Sequence, residues 1–95
     1  MLNAVIYYKE NKNASIDTVI THVQQQIESI EIEYIIKNVF IDTLENDLEL
    51  ERLIASLNDD IKIVFINTGI IQSSPFNYQI LKEICRTQDY EMVLY

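Results

Sequence analysis

Two rhythms alternate along this chain: short apolar runs, and stretches in which apolar residues recur every three or four positions. Leu2 to Tyr8 is an apolar run with β-branched and aromatic residues that ends in the polar stretch Lys9 to Ala14, the pattern of a buried strand followed by a loop. Ser15 then precedes Ile16, Val19, Ile20, Val23, Ile27 and Ile30, a spacing that lines one face of a helix, with Asp17 well placed in its first turn. From Ile32 to Ile41 the density of Ile, Val, Tyr and Phe predicts a second strand centred near Val39 to Ile41. Asp47 is a candidate cap for a second helix that turns Leu50, Leu53, Ile54 and Leu57 inward and Glu49, Glu51 and Arg52 to water. Ile61 to Ile66 reads as a third strand and Asn67 to Ser73 as a loop. Ser74 and Pro75 open a third helix predicted to bury Phe76, Ile80, Leu81, Ile84 and Cys85. Tyr90 to Tyr95 suits a final buried strand. The order βαβαβαβ predicts a single three-layer α/β domain over residues 1–95, with a mainly parallel four-stranded sheet and right-handed crossovers.

Composition narrows the classes of function. Seven basic against 15 acidic residues give a net charge of −8, which a nucleic-acid duplex would repel, so direct DNA binding is not expected. Six of those eight net charges fall between Asp42 and Asp60, where Glu45, Glu49, Glu51, Asp59 and Asp60 form a candidate acidic interaction face. The longest apolar runs are far short of the roughly 20 residues of a membrane span. One cysteine and the lack of a basic, apolar leader fit a reducing cytoplasmic setting.

Candidate chemistry is sparse. Ser15 and Ser74 are better read as helix caps than as nucleophiles, and Cys85 as a small core side chain. His22 is the single histidine, so no multi-histidine metal site is expected, and no cofactor is implied. Ligands of parallel sheets gather beyond the carboxyl ends of the strands, here Lys9 to Lys12, Asp42 to Thr43 and Asn67 to Gly69, but no glycine-rich phosphate loop stands there.

The first strand and its loop, Ile6-Tyr7-Tyr8-Lys9-Glu10-Asn11-Lys12, resemble the opening of the resolvase/invertase serine recombinases, where a strand ends in Tyr-Ala-Arg-Val-Ser and the serine is the nucleophile. Tyr7 matches the family tyrosine, Lys9 stands in place of the arginine and Asn11 in place of the serine. Val39-Phe40-Ile41-Asp42 looks like the strand leading into the family's mobile loop, with Asp47 about where an arginine is expected. Ile63 to Gln72 resembles the stretch ending in Leu-Asp-Arg-Leu-Ser-Arg, with Thr68 replacing the aspartate, Gly69 the first arginine and Gln72 the last. The resemblance implies a resolvase-like fold with vestigial active-site positions at Tyr7, Lys9, Asn11, Asp47, Thr68, Gly69 and Gln72. An amide at Asn11 cannot form a phosphoserine link, and the guanidinium groups that would stabilise phosphate charge are replaced. Tyr95 also ends the chain where the family begins its long oligomerisation helix and DNA-binding domain.

The expected function is therefore that of a catalytically inactive recombinase-like domain acting through protein contacts, with a recombinase or DNA-binding regulator of a mobile element as partner. Two alternatives stand beside it: the N-terminal fragment of a working recombinase, and an acidic DNA mimic that blocks a DNA-binding protein. Six tyrosines, among them Tyr8, Tyr34, Tyr78 and Tyr95, would supply contact area for self-association if exposed.

Overall fold

A strand with neighbours on both edges and helices on both faces must be apolar along its whole length, and the run from Ala4 to Tyr8 meets that requirement. The computed structural model describes residues 1–9, 15–43 and 46–95. It places β1 (Leu2–Lys9) inside a four-stranded, all-parallel sheet of order β2-β1-β3-β4, with β2 at Tyr34–Asp42, β3 at Ile61–Ile66 and β4 at Glu91–Leu94. Between the strands lie α1 (Ile16–Ile30), α2 (Leu48–Ser56), the single turn α3 (Ile70–Ser73) and α4 (Pro75–Gln88). The three-layer α/β architecture is as the sequence predicts, except that part of the expected loop Asn67 to Ser73 winds into α3.

The chain steps from β1 to β2 on one side and then crosses to β3 on the other. With right-handed crossovers this puts α1 on one face and α2 to α4 on the opposite one. The cores agree with that division. Tyr8, Val19 and Val23 cluster under α1, continued by Ala4, Ile6, Ile30, Ile63 and Phe65, while Val5, Tyr7, Phe40, Val64 and Ile66 pack with Leu50, Leu53, Ile70, Leu81 and Cys85 beneath α2 to α4. Two irregularities in the ladders skip Lys37 in β2 and Lys62 in β3, so each lysine stays at the surface without breaking the inward register around it.

Several expected positions are corrected. Phe76 is exposed, because the inward line of α4 runs through Asn77, Leu81 and Cys85 at intervals of four, and Phe76 lies a helical step off it. Ile16 and Ile20 are exposed as well, since the apolar stripe of α1 is wider than the strip of sheet beneath it. β2 begins at Tyr34, and Ile32 projects from the preceding turn. β4 is a half-buried edge strand of four residues and not a buried one. All six tyrosines are buried or half-buried, so they do not offer the open contact area considered for self-association.

The caps divide similarly. Ser15 Oγ accepts the Thr18 amide at 3.2 Å and caps α1 as expected. Asp47 and Ser74 occupy N-cap positions without a side-chain capping bond, and Pro75 takes the first position of α4. The left-handed turn that ends α4 falls to Asp89 at φ 63°, whereas the single glycine, Gly69, has an ordinary helical φ of −59°. Among the described residues no helix is long and apolar enough to cross a membrane.

Candidate functional site

The strand order reverses between β1 and β3, so their carboxyl ends open the crevice where parallel α/β sheets take ligands. In this chain the crevice is filled by its own polar side chains. Asn67, the residue after β3, spans it: its Oδ1 accepts the Lys9 amide and its Nδ2 donates to the Lys9 carbonyl, both at 3.0 Å. The side-chain amide thus acts as one more rung of the β1·β3 ladder beyond the end of β3.

Beside this rung, Asp42 at the end of β2 is buried and accepts three hydrogen bonds. Tyr7 Oη donates to Oδ2 at 2.7 Å, the Leu50 amide donates to Oδ2 at 2.9 Å, and the Glu49 amide donates to Oδ1 at 2.9 Å. Asp42 therefore caps α2 from the sheet, in the role the sequence assigned to Asp47. A carboxylate at this helix N-terminus meets unpaired amides and the positive end of the helix dipole. Burial, reinforced by the neighbouring Asp42 carboxylate, holds the Tyr7 phenol well above its usual pKa.

Lys9, also buried, sends its Nζ to Asp47 Oδ1 at 2.8 Å and to the Asn46 carbonyl at 2.9 Å. Asn77 Nδ2 on α4 donates to the same Asp47 oxygen at 2.7 Å. The Lys9 and Asn77 hydrogen bonds lower the Asp47 pKa below its ordinary value. One carboxylate thereby ties together the ends of β1, α2 and α4.

Of the positions singled out by the resemblance, Tyr7, Lys9 and Asp47 converge on this edge. Thr68, Gly69 and Gln72 follow Asn67 along it: Thr68 is exposed and its amide donates to the Tyr95 carbonyl, Gly69 leads into α3, and Gln72 is exposed on α3. Among the described residues none of these three adds a side-chain hydrogen bond to the Lys9 network. Asn11 lies outside the described residues, as does Glu45 of the acidic face.

The acids between Asp42 and Asp60 differ in their surroundings. Asp42 is buried, Asp47 is paired with Lys9, and Glu49 is paired with Arg52. Glu49 and Glu51 belong to the first turn of α2, near the carboxyl edge of the sheet, whereas Asp59 and Asp60 precede β3 at the amino edge. There Asp60 lines a cavity of about 150 Å³ with Lys37 and Asn58. His22 is exposed, and Cys85 is buried among apolar groups that push its thiol pKa up to about 11, which makes it a core side chain and a poor nucleophile.

Sequence reasoning passed over Asn46 and Asn77, named Asn67 only as a strand-end position, and counted Asp42 both as a strand end and as part of the acidic run. The signal for two of them is periodic: Asp42 is two residues beyond Phe40 on the inward side of β2, and Asn77 is four before Leu81 on the inward line of α4. Comparison of this chain with protein-family models, with curated proteins and with solved structures gives no match.

Proposed function

We propose that this chain is a catalytically inactive relative of the serine recombinase catalytic domain that works through protein contacts. The observation that carries the reading is the state of Lys9. It stands where the resemblance expects a phosphate-binding arginine, yet its ammonium is buried and engaged by Asp47 and the Asn46 carbonyl. A phosphate approaching it would have to displace a carboxylate already in contact and would meet the Asp42 carboxylate nearby. Phosphoryl transfer needs cationic donors aimed at the developing charge, and here the cation is neutralised internally.

The experiment is incubation of the purified chain with supercoiled plasmid, followed by denaturing electrophoresis for protein attached to DNA. No adduct and no nicking is the expected result, and a covalent adduct overturns the reading. Capture of the tagged chain from its native cells should recover a recombinase or a basic DNA-binding regulator. The acidic-mimic alternative draws less support, since the acids it needs divide between opposite edges of the sheet.

A further inference from the structure

Three large apolar side chains stand exposed on the α2 to α4 side near the carboxyl edge: Phe76 at 75%, Leu48 at 61% and Ile71 at 41%. They belong to three elements, and the Asp47–Asn77 hydrogen bond draws two of these together, because Leu48 follows Asp47 in the chain and Phe76 precedes Asn77. Both residues are anchored from below. Asp42 holds the first turn of α2 through the Glu49 and Leu50 amides, and Asn77 is buried one step from Phe76. An exposed aromatic on a fixed backbone loses little freedom when a partner covers it, which is the usual setting of an interface anchor.

The surroundings have the composition of an interface centre. No charged residue occurs between Lys62 and Lys82, although charged residues make up 23% of the chain, and this stretch carries Ile71, Gln72, Phe76, Tyr78 and Gln79 past the patch. Depletion of charge with retention of aromatics marks the buried centre of protein interfaces. The charged rim comes from α2, where Glu51 is exposed and Glu49, paired with Arg52, lies within a turn of Leu48, on a chain of net charge −8. An acidic rim around an uncharged apolar centre complements a partner with the reverse arrangement.

We infer that Leu48, Ile71 and Phe76 form a docking surface for a basic protein segment that carries an apolar anchor. This deepens the protein-contact reading above and rests on it. Leu48 and Phe76 adjoin Asp47 and Asn77 in the chain, so the hydrogen bond between those two residues also holds the docking surface in shape.

The probe is a short amphipathic Lys/Leu peptide, with a Lys/Ser peptide of equal charge as its control, titrated into the full chain and followed by backbone amide NMR. The expected result is tighter binding of the Lys/Leu peptide, with shifts centred on residues 47–51 and 70–79. Phe76→Ser and Leu48→Ser should each weaken it roughly tenfold without lowering thermal stability. Charge reversal at Glu49 and Glu51 should also weaken it, while reversal at Asp59 and Asp60 should leave it unchanged. Equal binding of both peptides, shifts centred on Asp59 and Asp60, unchanged affinity of Phe76→Ser, or dimerisation of the chain through this patch would each overturn the inference. A native partner captured equally by wild type and Phe76→Ser would overturn the patch and leave the protein-contact reading standing; a covalent DNA adduct would overturn that reading instead.

Discussion

Among the described residues Asp42 carries more of the carboxyl edge than any other single side chain, because three donors from two elements end on it. Asp42→Ala would leave the Tyr7 hydroxyl and the amides of Glu49 and Leu50 without their acceptor, at a cost of about 3 kcal/mol, read as a lower urea midpoint. Tyr7→Phe removes one donor and should cost about 1 kcal/mol. The double variant should cost less than the sum, since the two residues share one bond. The Lys9–Asp47 pair is asymmetric in burial, at 1% and 56% side-chain exposure, and its variants should be asymmetric too. Asp47→Ala strands a buried ammonium on one carbonyl and should cost about 2 kcal/mol, whereas Lys9→Met leaves a half-exposed carboxylate that still accepts from Asn77 and should fall within about 1 kcal/mol of wild type. Because the folded Asp47 pKa is depressed, its contribution is present above the ordinary value of 3.8 and is lost as pH falls through the lower folded value. Asp47→Asn should flatten that acid limb of stability against pH, measured by urea unfolding at a series of pH values.

At the scale of elements, each helix is fixed by a narrow inward line and leaves the rest of its apolar residues to the surface. In α4 that line is Asn77, Leu81 and Cys85. Leu81→Ala should cost about 2–5 kcal/mol, and Phe76→Ser, on the same helix, should change stability by no more than about 0.5 kcal/mol. Chemical denaturation of the two variants separates a core side chain from one held ready for a partner. The existence and order of the main helices were legible from apolar periodicity, and the Ser15 cap from its place before the first apolar residue. Which apolar residues on a helix face the sheet was not. Ile16, Ile20 and Phe76 satisfy the helical spacing as well as Val19 and Leu81 do, and only the position of the sheet beneath them distinguishes the two sets.

For the whole molecule, the parallel sheet brings its titratable interior to one edge, and alkali should reveal it. The folded Tyr7 pKa is raised above its ordinary value of 10.0, so the stability it contributes is complete below that pH and is lost as pH rises through the folded value. Tyr95 shifts in the same direction through burial. Phenolate absorbance should therefore lag behind that of free tyrosine and then rise together with loss of circular dichroism. A gradual titration of all six tyrosines with the fold intact would contradict the buried placement of Tyr7.

The sequence by itself determined that strands and helices alternate, that β1 and β3 are apolar enough to lie inside a parallel sheet, and that Cys85 belongs to the core. Those follow from local periodicity and burial preference, which are written residue by residue. Tertiary structure alone decided that Asp42 caps α2 in place of Asp47, that Asn67 extends the ladder from β3 to β1, and that Asn77 meets Asp47. It also divided the acidic run between two edges of the sheet. Each of these joins residues from different elements, some far apart in the chain, and a partner for a polar group exists only once the sheet order has brought the strand ends side by side.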